Sequence, residues 1–190
     1  MSHEKLHAAC AASAGIGRNV GQAEQANARG VYTASCHGAD GALKWTDTFD
    51  NLVTTVGKND ALDKYLAGSA YTATWFLGLI SLASYSAVAA ADTMASHAGW
   101  LEAGIANAPT YSQGARPTAA WSAAAAGSKA LSSALAFSIT STGTVKGCFL
   151  TSVSTKDGVT GILYSAGLFT GGDKALANGD TLSVSYTASL

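Results

Sequence analysis

Residues 51–81 read Asn-Leu-Val-Thr-Thr-Val-Gly-Lys-Asn-Asp-Ala-Leu-Asp-Lys-Tyr-Leu-Ala-Gly-Ser-Ala-Tyr-Thr-Ala-Thr-Trp-Phe-Leu-Gly-Leu-Ile-Ser. The first half predicts a short helix. Asn59 or Asp60 can cap it, Leu62, Tyr65 and Leu66 recur at helical spacing, and Gly68 suits its C-terminal stop. The second half predicts a buried strand, with Trp75, Leu77 and Leu79 pointing one way and Phe76 and Ile80 the other. Apolar residues on both sides mean a sheet covered on each face. A helix laid over one end of such a strand gives the fold a nucleus.

Upstream, Val31 to Cys36 and Leu43 to Phe49 alternate like strands, and His37-Gly38-Ala39-Asp40-Gly41 between them is a turn signal. Leu43, Trp45 and Phe49 share one face of the resulting hairpin, which leads into the helix. Residues 1–30 are small and polar and cannot bury enough apolar area to fold alone, although Leu6 to Ala14 can form a short helix against a partner. They read as an N-terminal arm, an extended tether lying on neighbouring subunits.

Downstream, Leu82 to Val88 reads as a returning strand and Ala89 to Glu102 as a loop or short helix. Asn107 to Pro117 holds both prolines, Pro109 and Pro117, with Gly114 between, and reads as an exposed loop with Arg116 at its end. The alanine tract from Ala119 to Gly127 leans towards an edge strand. From Leu131 the pattern is all β: Leu135, Phe137 and Ile139 alternate, Thr142-Gly143 turns, and Val145, Phe149 and Leu150 mark the next strand. Lys156-Asp157-Gly158 turns before Ile162 to Tyr164. Gly171-Gly172-Asp173 and Asn178-Gly179-Asp180 bracket a short connection, and Leu182, Val184 and Tyr186 close the series. Short strands at regular spacing predict a mainly β fold for residues 31–190, an antiparallel β-sandwich of jelly-roll or immunoglobulin-like type with one short helix outside it.

Charged residues are only 12% of the chain and apolar residues 48%. Ordinary domains carry about twice that charge. The surface is therefore dressed in Ser, Thr, Ala and Gly, which favours packing against other proteins. A formal net charge of -1 lacks the basic field that nucleic-acid binding needs. Cys10, Cys36 and Cys148 have no paired spacing and read as thiols of a reducing cytoplasm. No secretory signal is visible in the first residues. Tyr65 to Ala91 is free of charge, yet glycine, serine and threonine interrupt it too often for a membrane span.

Candidate chemistry is sparse. Ser96 beside His97, with Asp92 upstream, is the only local arrangement that suggests a hydrolase, and no Gly-x-Ser-x-Gly elbow accompanies it. His97 reads instead as a loop histidine bonded around Gly99 and Trp100. Cys36, His37, His97 and the early histidines lack zinc spacing, and Asp157, Asp173 and Asp180 are turn residues before they are calcium ligands. No cofactor or metal is expected. Of the four tryptophans, Trp100 is the one whose loop position suits a sugar platform.

One resemblance carries further. The segment from Asn51 to Leu66, the Trp-Phe-Leu-Gly-Leu-Ile strand, and Ala-Ala-Ala-Asp-Thr-Met-Ala-Ser-His-Ala-Gly-Trp-Leu-Glu at 89–102 resemble a group of small structural proteins of tailed bacteriophages. Gly147-Cys148-Phe149-Leu150-Thr151, Gly161-Ile162-Leu163-Tyr164, Gly171-Gly172-Asp173 and Asn178-Gly179-Asp180-Thr181-Leu182 extend it. It covers roughly residues 42 to 190. The resemblance implies a non-enzymatic virion protein, assembled in the bacterial cytoplasm, that decorates or cements the capsid. Its partners would be the major capsid protein, copies of itself or tail proteins. A tail or head-to-tail component and a carbohydrate- or receptor-binding module are the alternatives. The residues singled out for protein contact are Leu6, Arg18 and Arg29 in the arm, with His97, Trp100 and Arg116 in the loops.

Overall fold

Strands form where apolar and polar residues alternate most cleanly. The computed structural model describes residues 27–66 and 74–190. Along the chain lie β1 (Arg29–His37), β2 (Leu43–Val53), α1 (Thr55–Leu66), β3 (Trp75–Ser81), β4 (Glu102–Ala103) and β5 (Thr118–Ala119). They are followed by β6 (Ser128–Ala130), β7 (Leu135–Ser138), β8 (Gly143–Thr151), β9 (Leu163–Leu168), β10 (Lys174–Leu176) and β11 (Thr181–Ser189). The chain is mainly β, antiparallel in its pairings, with one helix among the described residues.

The strands join in a single path, β4-β3-β8-β9-β2-β1-β11-β6, with β10 on β8, β5 on β3 and β7 on β11. The joint is β2. It pairs with β1 as far as Asp50, and with β9 from Asn51 to Val53. The two halves of this sheet close on a common core, in which Tyr32, Phe49 and Tyr186 of one half meet Leu79, Leu150 and Phe169 of the other. The Phe49 and Phe169 rings lie 4.7 Å apart, and the Tyr32 hydroxyl is 3.2 Å from Ser165 Oγ. One continuous sheet thus stands where the sequence suggests two separate ones.

The alternation of β3 is borne out on both faces. Leu77 and Leu79 enter the common core, while Ile80 joins a second cluster with Met94, Trp100, Phe149, Leu163 and Ala166. Each such fully buried aliphatic side chain contributes about 1.5–3 kcal/mol. Gly78 stands opposite Phe149 in the register, and a Cβ there would sit 2.2 Å from the ring. The aromatic lies where the glycine leaves room.

The helix starts earlier than expected and faces differently. Its cap is Thr54, whose Oγ1 accepts the Gly57 N–H at 3.1 Å and donates to the Leu163 carbonyl; neither Asn59 nor Asp60 caps it. Gly57 is its buried residue, so close to β9 that a Cβ would meet the Tyr164 carbonyl oxygen at 2.3 Å. Leu62, Tyr65 and Leu66, whose recurrence marks the helix in the sequence, are 56%, 88% and 73% exposed. The helix is pinned through a glycine at its first turn, and its apolar end projects outward. Gly68 lies outside the described residues.

Three further expectations are corrected. Leu82 to Val88 forms no strand, because the partners of β3 are already β8, β4 and β5; its backbone bonds to loops instead, as in Leu82 N to Thr144 O at 2.9 Å and Ser86 N to Gly99 O at 2.7 Å. The 107–117 loop is anchored, with Pro109, Tyr111 and Arg116 buried. The alanine tract forms a strand only at Thr118–Ala119 and continues to β6 through the isolated antiparallel bridges Trp121–Leu131 and Ala125–Ser128. The ordered sheet begins at Arg29, two residues inside the expected arm; residues 1–26 lie outside the described residues.

Candidate functional site

The loops beyond β3 are held by buried polar groups, and these account for most of the residues that sequence singles out. Trp100 is fully buried, donating its indole N–H to Asp92 Oδ2 at 2.9 Å and lying 5.0 Å from the Phe149 ring. His97 stacks on it at 4.0 Å, with Nδ1 2.9 Å from the Trp100 carbonyl. The histidine is thus the loop-fastening residue its neighbours suggest, engaged with Trp100 rather than with Ser96. Trp100 is not an exposed platform, because burying its indole is what closes the second core cluster.

Arg116 is likewise inside, 2% exposed. Its guanidinium grips Glu102 with two bonds, Nε to Oε1 at 2.8 Å and Nη2 to Oε2 at 2.6 Å, and Nη1 reaches the Val153 carbonyl at 2.8 Å. Glu102 also accepts the Asp157 N–H at 2.7 Å. Lys156, buried alongside, donates to the Gly104 and Tyr111 carbonyls and lies 4.1 Å over the Tyr111 ring. Burial holds its ammonium below the usual lysine range, against the pull of Glu102 and Asp157. This network ties the loop after β4 to the turn before β9. Glu102, missed in the sequence, is its centre; a glutamate opening a two-residue strand gives no periodic signal.

Two more buried acids brace the other end. Asp47 takes the Thr170 hydroxyl at 2.7 Å, the Gly171 N–H at 3.0 Å and Lys174 at 3.0 Å. Asp180 takes the Ala177 N–H at 2.8 Å, Lys44 at 2.5 Å and the Cys36 thiol at 3.6 Å. Burial alone raises both carboxyls, but these donors outweigh it and hold them below the ordinary range. The Cys36 thiol is pushed up to about 11, by burial first and then by the charge of Asp180. Cys36 and Cys148 are free and buried. Among the described residues no three His, Cys, Asp or Glu side chains are grouped to hold a metal ion. No described helix is long and apolar enough to cross a membrane.

The surface with unsatisfied capacity lies elsewhere. A groove of about 470 Å³ opens between the projecting end of α1 and the sheet, walled by Tyr65, Trp75, Trp121, Leu150, Tyr164 and Leu190, with Asp60, Lys64 and Lys129 at its rim. Trp75 and Tyr164 meet edge-on at 5.3 Å to form the floor, and Trp121 is braced on Tyr186 at 5.9 Å. Leu62 and Leu66 of the same helix are exposed, as is Leu190 in the groove wall. A second, smaller cavity of about 260 Å³ sits under Trp100, Glu102 and Asp157, next to the exposed Leu101, Ile105 and Val159.

Of the residues singled out for contact, Trp100 and Arg116 are interior and His97 is half-buried. Arg29 is exposed at the start of β1, its Nε 3.2 Å from Ser189 Oγ. Leu6 and Arg18 lie outside the described residues. The groove was legible only in part, since the sequence marks its helix and strands singly and not the surface they enclose. The missed signal is in α1 itself, where Leu62, Tyr65 and Leu66 crowd the last turns and no large apolar residue repeats the stripe towards the N-terminus. No protein-family model matches the chain, and no curated protein matches it.

Proposed function

We propose that this chain is a non-enzymatic structural protein of a bacteriophage virion, most simply a decoration or cement protein that binds the major capsid protein and copies of itself. The observation that carries the reading is the helix end and groove: among the described residues, aromatic and aliphatic side chains are exposed there, on a chain with only 12% charged residues. Such a surface does mechanical work, burying apolar area across subunit borders, and symmetry multiplies a modest contact over many copies. The buried acids support the same reading. Glu102, Asp47 and Asp180 are each engaged in fastening loops, which leaves them poorly placed to act on a substrate.

Particles lacking the protein test it. They are expected to lose resistance to heat and osmotic shock, with sensitivity restored to normal on adding the protein back; mutant particles as robust as complete ones would sink the cement role. Copy number separates this from a tail or head-to-tail component, since hundreds per particle mean shell and a few dozen at most mean tail. A carbohydrate site built on Trp100 is disfavoured, because the indole is interior.

A further inference from the structure

Buried Met94, Trp100 and Phe149 line the cavity of about 260 Å³, and Leu101, Ile105 and Val159 stand exposed at or beside its mouth. Such walls suit an aliphatic stem, and the exposed aliphatics offer a partner further apolar area to cover. Three polar groups of the lining have an acceptor to spare. Asp157 uses Oδ2 on the Ala106 N–H at 3.1 Å, and its Oδ1 takes no hydrogen bond among the described residues. Asn107 donates its Nδ2 to the Glu102 carbonyl at 3.0 Å, which leaves Oδ1 as an acceptor. His97 donates through Nδ1 to the Trp100 carbonyl, so in the neutral ring Nε2 accepts.

The charged side chains of the lining, Glu102 and Asp157, are both acids. Glu102 is spent on Arg116 and on the Asp157 N–H. The neighbouring cations, Arg116 and Lys156, are bonded to Glu102 and to backbone carbonyls and do not line the cavity. Spare acceptors beside an uncompensated carboxylate oxygen call for a head group that only donates, and a primary ammonium is one. Asp157 is also held in place before any ligand arrives. Its φ of 55° is a left-handed conformation uncommon in residues other than glycine, and its bonds to Glu102 Oε2 and to Ala106 fix it there. The Arg116–Glu102 pair thereby positions the acid at the rim.

We propose that this cavity receives a lysine side chain of a partner protein, its stem against Met94, Leu101 and Val159 and its ammonium on Asp157, with Asn107 and His97 as further acceptors. The inference rests on the reading of the chain as a protein that binds a shell protein, and it gives that binding an anchor separate from the groove beside α1. A free amine would leave Leu101, Ile105 and Val159 uncovered, which favours a protein as the source of the lysine.

Two measurements on the full-length protein test it. In the first, acetyl-Leu-Lys-Leu-amide is titrated in and followed through the Trp100 indole and the Ile105 and Val159 methyl resonances. Shifts at these positions are expected, and they are expected to vanish with the ε-acetylated peptide and with Asp157→Asn. Asparagine tolerates the same φ and keeps an acceptor for Ala106, so the variant removes the charge alone. Equal shifts with the acetylated peptide, or none with either, would overturn the proposal. So would n-butylammonium matching the peptide's affinity, which would make this a site for free amines. In the second, binding to particles stripped of the protein is expected to weaken about tenfold or more in Asp157→Asn. Wild-type binding with an unchanged variant would overturn the inference and leave the virion reading standing. Wild-type protein that ignores the particles would instead sink the virion reading, and the peptide titration alone would then decide for or against the lysine site.

Discussion

Arg116 and Glu102 show how a few charges govern the loops. Two desolvated ions are tolerated because the guanidinium fork matches both carboxylate oxygens and the remaining donors and acceptors find backbone partners. Removing one partner leaves the other buried and uncompensated. Arg116→Met is therefore expected to cost about 3–5 kcal/mol in urea unfolding, whereas the double replacement Glu102→Leu with Arg116→Met recovers much of the loss. A double variant as unstable as the single one would show that the pair contributes fastening that packing cannot replace. Gly147 makes the complementary point with backbone alone: a Cβ there would stand 1.9 Å from the Gly167 carbonyl oxygen. Gly147→Ala must push β8 from β9, and a loss of about 1–3 kcal/mol is expected from the same titration.

The helix α1 is fastened through its first turn and carries exposed apolar side chains near its last. Thr54 and Gly57 fix its first turn to the Leu163 and Tyr164 backbone, while Leu62 and Leu66 face outward. Two variants separate these roles. Gly57→Ala is expected to detach the helix, seen as a loss of amide-exchange protection confined to Thr55–Leu66. Leu62→Lys with Leu66→Lys is expected to change stability by no more than about 0.5 kcal/mol, as exposed positions do, while abolishing binding to particles stripped of the protein. Undiminished binding would remove the helix face from the proposed interface. The strand β2 plays the other connecting part: by changing partner at Asp50 it carries the sheet from one half to the other.

Taken together, the fold is braced by acids at both ends of the sheet, and this makes its stability depend on pH. Unfolded, Asp47 and Asp180 bind protons in the ordinary carboxylate range; folded, their donors hold them deprotonated to lower pH. Protonation in the interval between therefore favours the unfolded chain. Their contribution is complete above the unfolded value and disappears as pH falls through the lowered folded one. The thermal midpoint is expected to be flat near neutrality and to fall from roughly pH 5 downward, with Asp180→Asn shallower in that fall. A midpoint indifferent to acid would mean that these bonds hold nothing.

Much of this architecture is written in local chemistry. The two-sided apolar pattern of residues 75–80, the glycine turn after His37, and the alternation of Leu182, Val184 and Tyr186 each specify a strand through side-chain period alone, and each is found. So is the fastening role of His97, because its partner Trp100 is three residues away. What local chemistry leaves open is which surface an element turns inward. The α1 stripe of Leu62, Tyr65 and Leu66 was free to face the core, and it faces outward because Gly57 lets the first turn lie against β9. Arg116 and Trp100, loop residues by sequence, are interior because the Val153 carbonyl meets the one and the Phe149 ring the other across the fold. Periodicity is set by neighbours along the chain, whereas burial is set by partners that only folding brings within reach.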